Sequence, residues 1–417
     1  MRWFIRGIPL TAGLAVAAAG TGCSYGEAPG DVRVSTRDSA GVTVVENVGE
    51  PPGEGGGWAV AAEPALSIGT FQGDSLYQLF RVQGACRLAT GGIALVNEGS
   101  GEIRIYGPDG SFLRSHGGKG EGPGEFQRPA LAGHLPGDTL VVVDFQLRRI
   151  SLVHPDEGFI RSSPVDESVG GNLFPRGVFS DRSVLVGGGF YFSSGDDTEL
   201  KNGYSRPPTG YAAVGLGGSL VTDFGEFPGS ELFMNVSRSG SGMMMFARQI
   251  PFGKAPRTAV SPDHFYYGSG DDWEVQVFGP GGELVRIIRW DRAPRPVRPP
   301  DLDALLQRRL EELEDPSTAP SFREEFREMP TPDVMPAFGE LAADAEGYLW
   351  VERFRGPLQD EPPRYDILDP EGRVVGWVEL PREMELLEIG SDYVLGLVRD
   401  ELDVEYVRMY GLDRPDP

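Results

Sequence analysis

Short apolar alternations broken by Gly, Pro, Asp or Asn run along most of the chain, and one phrase repeats: an alternating run, a turn ending in Gly, then a second apolar run. It occurs as EIRIYGPDGSFLRSHG from Glu102, RISLVHPDEGFIRSS from Arg149, GYAAVGLGGSLVTDF from Gly210, EVQVFGPGGELVRII from Glu274 and RYDILDPEGRVVGWV from Arg364. Alternation with period two around such a turn predicts an antiparallel β-hairpin. A second pair of runs precedes each hairpin: RLATGGIALVN, LAGHLPGDTLVVVD, VFSDRSVLVGG, AVSPDHFYYGS and LAADAEGYLWVE. Continuous apolar runs such as TLVVV suit strands covered on both faces. A sixth pair, LEIGSDYVLGLV from Leu387, precedes YVRMYGL.

Six units of four antiparallel strands predict an all-β fold, a six-bladed β-propeller over residues 31–412. The last unit is one strand short. RDSAGVTVVENV, near the other end of the chain, carries a turn like the repeated PDG and is expected to supply it. Pairing an N-terminal strand with the C-terminal blade leaves no open sheet edge. DVRVST, just before that turn, competes with Tyr406–Tyr410 for a place in the closing blade.

Two insertions interrupt the period. Residues 187–209 are rich in Gly, Ser and Asp and read as a long loop. Residues 293–336, between the fourth and fifth units, contain DLDALLQRRLEELE, where Leu302, Leu305, Leu306, Leu310 and Leu313 form one helical stripe behind Pro299 and Pro300. That stripe predicts a helix packed on the rim of the ring, with a lid over its centre as the alternative.

The stretch GGKGEGPGEFQRP, residues 117–129, invites a phosphate-loop reading. Its residues oppose it: Gly120 follows Lys119 where Ser or Thr is needed, Pro123 lacks a donor, and Glu121 and Glu125 repel phosphate. It reads instead as the link from the outer strand of one blade to the inner strand of the next. IGTFQGDSLYQLFRV and DFGEFPGSELF are weaker echoes. GGKGEGPGEFQRP, DAEGYLWVERF and YGPDGSFLRS resemble the links and strands of six-bladed propellers of the NHL-repeat type. RDSAGVTVVEN, MPAFGELAADAEGYLWVE and SDYVLGLVRDELDVEYVRMY are similar to a family of exported bacterial six-bladed propellers with no assigned activity. The resemblance implies fold and is silent on chemistry.

MRWFIRGIPLTAGLAVAAAGTGC opens the chain with Arg2 and Arg6 before an apolar stretch too short for an ordinary membrane span, which reads as an export signal over residues 1–22. Cys23 then becomes a candidate for lipid attachment, residues 23–30 a tether and 413–417 a tail. The expected location is the bacterial cell envelope, lipid-anchored through Cys23, with ordinary cleavage and a soluble exported protein as the rival. Acylation of Cys23 would leave Cys86 unpaired, a small buried hydrophobe in VQGACRL. A net charge of −24 argues against nucleic acid and anionic membrane surfaces as partners.

The four histidines, His116, His134, His154 and His264, lack metal-ligand spacing, and no nucleophile motif is present. Superposing the units gives a stronger pattern. Arg81, Arg128, Arg176, Arg257 and Arg382 precede the innermost strands, while Asn97, Asp144 and Glu352 end the second strands. Strand direction puts both sets on one face, as an arginine-rich rim with carboxylates farther out. Arginine's planar fork suits carboxylate or phosphate, so the expected function is binding of a small anionic ligand or a partner segment, with no cofactor and no catalytic group. The alternative is a metal-dependent lactonase or esterase, with Asn97, Glu98, Asp144 and Glu352 as oxygen ligands. Salt bridging between blades is the purely structural alternative for the arginines.

Overall fold

The computed structural model describes residues 32–415 except 52, 54, 189–201, 240–241 and 314. The described chain is mostly β, built as a propeller is from small antiparallel sheets packed face to face, with two α-helices, α1 (Pro299–Glu311) and α2 (Ala319–Glu328). Strands Val82–Arg87, Ile93–Asn97, Glu102–Tyr106 and Phe112–Gly117 pair in chain order as the first sheet. The second holds Pro129–His134, Leu140–Asp144, Arg149–His154 and Gly158–Pro164, and the third Pro175–Val178, Val184–Gly187, Pro208–Val214 and Leu220–Pro228. The fourth holds Arg257–Ser261, His264–Gly268, Glu274–Phe278 and Leu284–Trp290, and the fifth Leu341–Ala343, Leu349–Glu352, Arg364–Leu368 and Val374–Glu379. Met384–Ile389, Tyr393–Arg399 and Glu405–Asp413 begin the sixth.

Second strands such as Ile93–Asn97 and Leu140–Asp144 are buried at every position, because a sheet packs on each face. The core is therefore divided among the gaps between sheets. Val96 and Ile103 meet Leu140 and Val142 between the first and second sheets. Val141 meets Val186 between the second and third, and Tyr211 meets Phe265 between the third and fourth. Ile288 packs with Val351, Trp350 with Val394, and Leu397 with Leu95, the last pair joining the sixth sheet to the first. Each aliphatic side chain so buried stabilises the fold by about 1.5–3 kcal/mol.

The strand that completes the sixth sheet differs from the one expected. Leu66–Ile68 pairs antiparallel with Glu405–Asp413, matching Val407 to Ile68 and Met409 to Leu66, and Ala59–Val60 joins the far end of the same strand. The hairpin of Arg33–Ser39 and Val42–Val48, which is RDSAGVTVVENV with the strand before it, instead extends the fourth sheet, with Val42–Val48 parallel to Leu284–Trp290. Tyr406–Tyr410 thus lies in the sixth sheet, and Val34 and Ser35 pair only within their hairpin. Two features hold the hairpin there. Val44 and Val45 are buried, and the buried Asn47 amide donates to Gly372 O and Arg289 O while its Oδ1 accepts from Val374 N.

The link over residues 117–129 joins the first sheet to the second, with Phe126 buried in their shared core. Gly117 has φ +91°, and a Cβ there would meet the Phe126 ring at 2.8 Å, so the glycine serves packing. A three-stranded sheet of Gly203–Ser205, Leu232–Ser239 and Gly242–Gln249 was not expected from the sequence. DFGEFPGSELF, read as a link, is the end of one long strand and the start of that extra hairpin.

Connectivity makes the two ends of each sheet unlike. First-to-second and third-to-fourth strand connections are tight turns, several pinned by an Asp accepting backbone N–H groups, as Asp344 does from Glu346 and Tyr348 and Asp369 from Glu371 and Arg373. The long connections leave from the other end: the one that follows Gly187, the Leu232–Gln249 hairpin, and those after Trp290 and Glu352. That end is the insertion face.

Candidate functional site

The insertion face gathers the start of each first strand and the end of each second, so it receives all the sequence-predicted arginines and carboxylates. Arg81 sits just before the first strand in the left-handed region, with φ 58°. Asn97 fixes that turn: its buried Oδ1 accepts from Phe80 N at 2.8 Å, its Nδ2 donates to Ser100 Oγ, and Glu98 N donates to Arg81 O.

Glu98 comes next in the chain and is 2% exposed. Its Oε1 lies 3.4 Å from Arg81 and 3.5 Å from Arg128 of the neighbouring sheet, while its Oε2 is buried without a hydrogen-bond partner among the described residues. The Arg128 guanidinium rests 4.5 Å from the centre of the Phe145 ring. Neither guanidinium makes a hydrogen bond among the described residues, and both are about half exposed. One desolvated carboxylate thus serves two half-solvated cations, an arrangement one negative charge short of neutral.

The remaining predicted residues are engaged elsewhere. Asp144, fully buried, accepts from the backbone N–H groups of Gln127, Arg128, Gln146 and Leu147, so its oxygens hold the loop together. Glu352 accepts from Glu340 N and lies 3.4 Å from Arg355. Arg257 pairs with Glu340, Arg382 with Asp360, and Arg176 donates to Gly187 O. The five arginines therefore form no continuous ring of bare charge. Like charges held close repel, and most of these carry their own acceptor. The structure brings Arg81 and Arg128 together and leaves the other three apart. Cys23 lies outside the described residues.

Sequence reasoning missed a second charged cluster on this face. The fully buried Asp366 accepts from Arg353 Nε at 2.9 Å and from Arg292 at 2.6 Å, and Glu50 spans the same two arginines. Arg292 stacks on Trp290 at 3.6 Å and Arg364 on Trp377 at 3.8 Å. Burial, then the positive charges of Arg353 and Arg292, hold Arg364 below its usual pKa. These residues come from different sheets and the N-terminal segment, so no local spacing announces them.

Toward the opposite end of the inner strands, His134 of the second sheet meets Glu388 of the sixth at 3.6 Å. The Glu388 contact raises the His134 pKa. Tyr393 OH donates to the same carboxylate at 2.8 Å. Among the described residues no three His, Cys, Asp or Glu side chains converge in a way that could hold a metal ion. No described helix is long and apolar enough to cross a membrane.

No protein-family model matches the chain, and no curated protein does. Solved structures do. An exported protein of Bacteroides fragilis is 11% identical with a TM-score of 0.46, over 86% of this chain and 98% of that one. A member of the DUF4221 family from Bacteroides vulgatus is 9% identical with a TM-score of 0.43, over 87% and 100%. A virginiamycin B lyase of Staphylococcus aureus, solved with quinupristin, is 10% identical with a TM-score of 0.40, over 92% and 100%. Likenesses this distant carry no argument about activity, and the architecture rests on the strand pairings themselves.

Proposed function

We propose that the chain is an exported binding protein of the cell envelope, anchored through Cys23, whose insertion face holds a small anionic ligand or an acidic segment of a partner. In this reading the six sheets are the blades of one ring over residues 31–412, of the NHL-like kind, closed by Leu66–Ile68 on the last blade. The core clusters that link each sheet to the next, and the sixth to the first, support that closure.

One observation carries the function: Arg81 and Arg128 share the single buried carboxylate of Glu98 and have hydrogen-bonding capacity left over. A carboxylate or phosphate would supply the missing charge and accept from both forks. Thermal-shift screening of small carboxylates and phosphates, followed by calorimetric titration, tests it. Arg81→Ala with Arg128→Ala is expected to weaken the best ligand about tenfold or more. Unchanged affinity would remove the site. The lactonase or esterase reading would have Asn97, Glu98, Asp144 and Glu352 turn oxygens toward a cation. Asn97 and Asp144 spend theirs on backbone N–H groups, and Glu352 on Glu340 N and the Arg355 side chain, which favours binding.

A further inference from the structure

The helical insertion and the extra hairpin border an open-sided cavity of about 220 Å³ that neither charged cluster uses. Leu305 of α1 and Phe322, Phe326 and Met329 of the α2 region line its apolar part, and Arg248 and Gln249 of the hairpin, Pro251 and Arg309 of α1 line the rest. The leucines Leu302, Leu305, Leu306, Leu310 and Leu313 of the α1 stripe and just beyond it are all only half-buried, and of these Leu305 faces the cavity.

We propose that this cavity binds a short-chain amphipathic carboxylate, with its alkyl body on Leu305, Phe322, Phe326 and Met329 and its head toward Arg309. Size permits it: a dry cavity of about 150 Å³ lined by similar side chains takes up benzene. Charge selects the head. Arg248 is neutralised by Glu325 at 3.3 Å and stacks over Phe322, whereas Arg309 has no ion pair or hydrogen bond among the described residues. The site therefore sets a solvent-facing cation, with no ion pair among the described residues, beside an apolar wall, and an apolar molecule without a head would gain nothing from that charge. A doubly charged small anion would waste the wall.

Calorimetric titration of the full chain with octanoate tests the assignment, with octan-1-ol and acetate as the tail-only and head-only controls. Octanoate is expected to bind saturably, with acetate showing no binding and octan-1-ol binding about tenfold more weakly. Arg309→Gln, at an exposed position that spares folding, is expected to weaken octanoate about tenfold, and Leu305→Trp to block it by filling the cavity. The Arg81→Ala and Arg128→Ala pair should leave octanoate binding unchanged, which separates this site from the one at Glu98. Absence of saturable octanoate binding, octan-1-ol binding as tightly as octanoate, or octanoate affinity insensitive to Arg309→Gln would each overturn the proposal.

Discussion

Ile68 faces Val407 across an antiparallel pair that joins the N-terminal part of the chain to its last strand. Both are 1% exposed and belong to the core between the sixth and first sheets. Ile68→Ala should therefore cost about 2–5 kcal/mol, through lost transfer energy and the cavity left behind. Val34→Ala, on the outer strand of the N-terminal hairpin and 38% exposed, should change stability by about 0.5 kcal/mol or less. Guanidinium unfolding of the two variants makes the comparison, and equal losses would contradict this role for Leu66–Ile68.

That contrast shows what the sequence could carry. The five repeated hairpins appear at the expected residues, because period-two alternation and a Gly-bearing turn act within one stretch of chain. The partner of the last strand was not legible. ALSIG is a weak strand by composition beside GVTVVENV, yet the stronger segment docks elsewhere because Asn47 finds acceptors in the fourth and fifth sheets. The carboxylates at the ends of second strands were visible as a pattern, but not their work. Whether Asp144 faces a ligand or four backbone N–H groups depends on a loop path that spacing does not encode.

Asp366 and Glu50 bind the same two arginines from opposite environments, with side chains 1% and 64% exposed. Asp366→Asn leaves Arg292 and Arg353 short of a buried counter-charge and should destabilise by about 3–5 kcal/mol. Glu50→Gln, a surface contact, should cost about 0–1 kcal/mol and lose even that in high salt. Chemical denaturation at low and high ionic strength measures both.

His134 sets a pH dependence. Its pKa is raised above the ordinary 6.5, first by the Glu388 carboxylate 3.6 Å away. The folded state therefore holds the proton more tightly, and the stabilisation is complete below about pH 6.5 and lost as pH rises through the higher folded value. His264 acts in the other direction: burial, then Arg286, lower its pKa, so it removes stability as pH falls below 6.5. His134→Gln should abolish the first contribution alone, making melting temperature fall more steeply on acidification than in the parent. Superimposable pH profiles would exclude the His134–Glu388 pair as its source.

Arg81 holds a left-handed backbone that L residues adopt at a cost. Arg81→Gly should relieve that strain and leave stability unchanged or raised by up to about 1 kcal/mol, while weakening any anion bound beside Glu98. A stability gain accompanied by a loss of affinity would mark strain kept for binding. Melting curves and titrations of one variant give both readings.

Cys86 is buried between the first and second sheets, and its thiol pKa is pushed well above its usual value, first by burial and then by Glu388. In a Cys23→Ser chain, a thiol reagent should leave native protein unlabelled over the time in which guanidinium-unfolded protein reacts completely. Fast labelling of native protein would place Cys86 nearer solvent than the fold allows.

The N-terminal segment is fastened three times, first by Val42–Val48 beside the fourth sheet, then by Ala59–Val60 and Leu66–Ile68 on the last strand of the sixth. Tension from the N-terminal side would load these fastenings in series. The exposed strand Arg33–Ser39 would peel away first, then the parallel Val42–Val48 and next Ala59–Val60 would have to tear from their neighbours before any load reached Ile68 and Val407. The leading hairpin thus acts as a strain relief, keeping a pull from the N-terminal side away from the pairing of Leu66–Ile68 with the last strand.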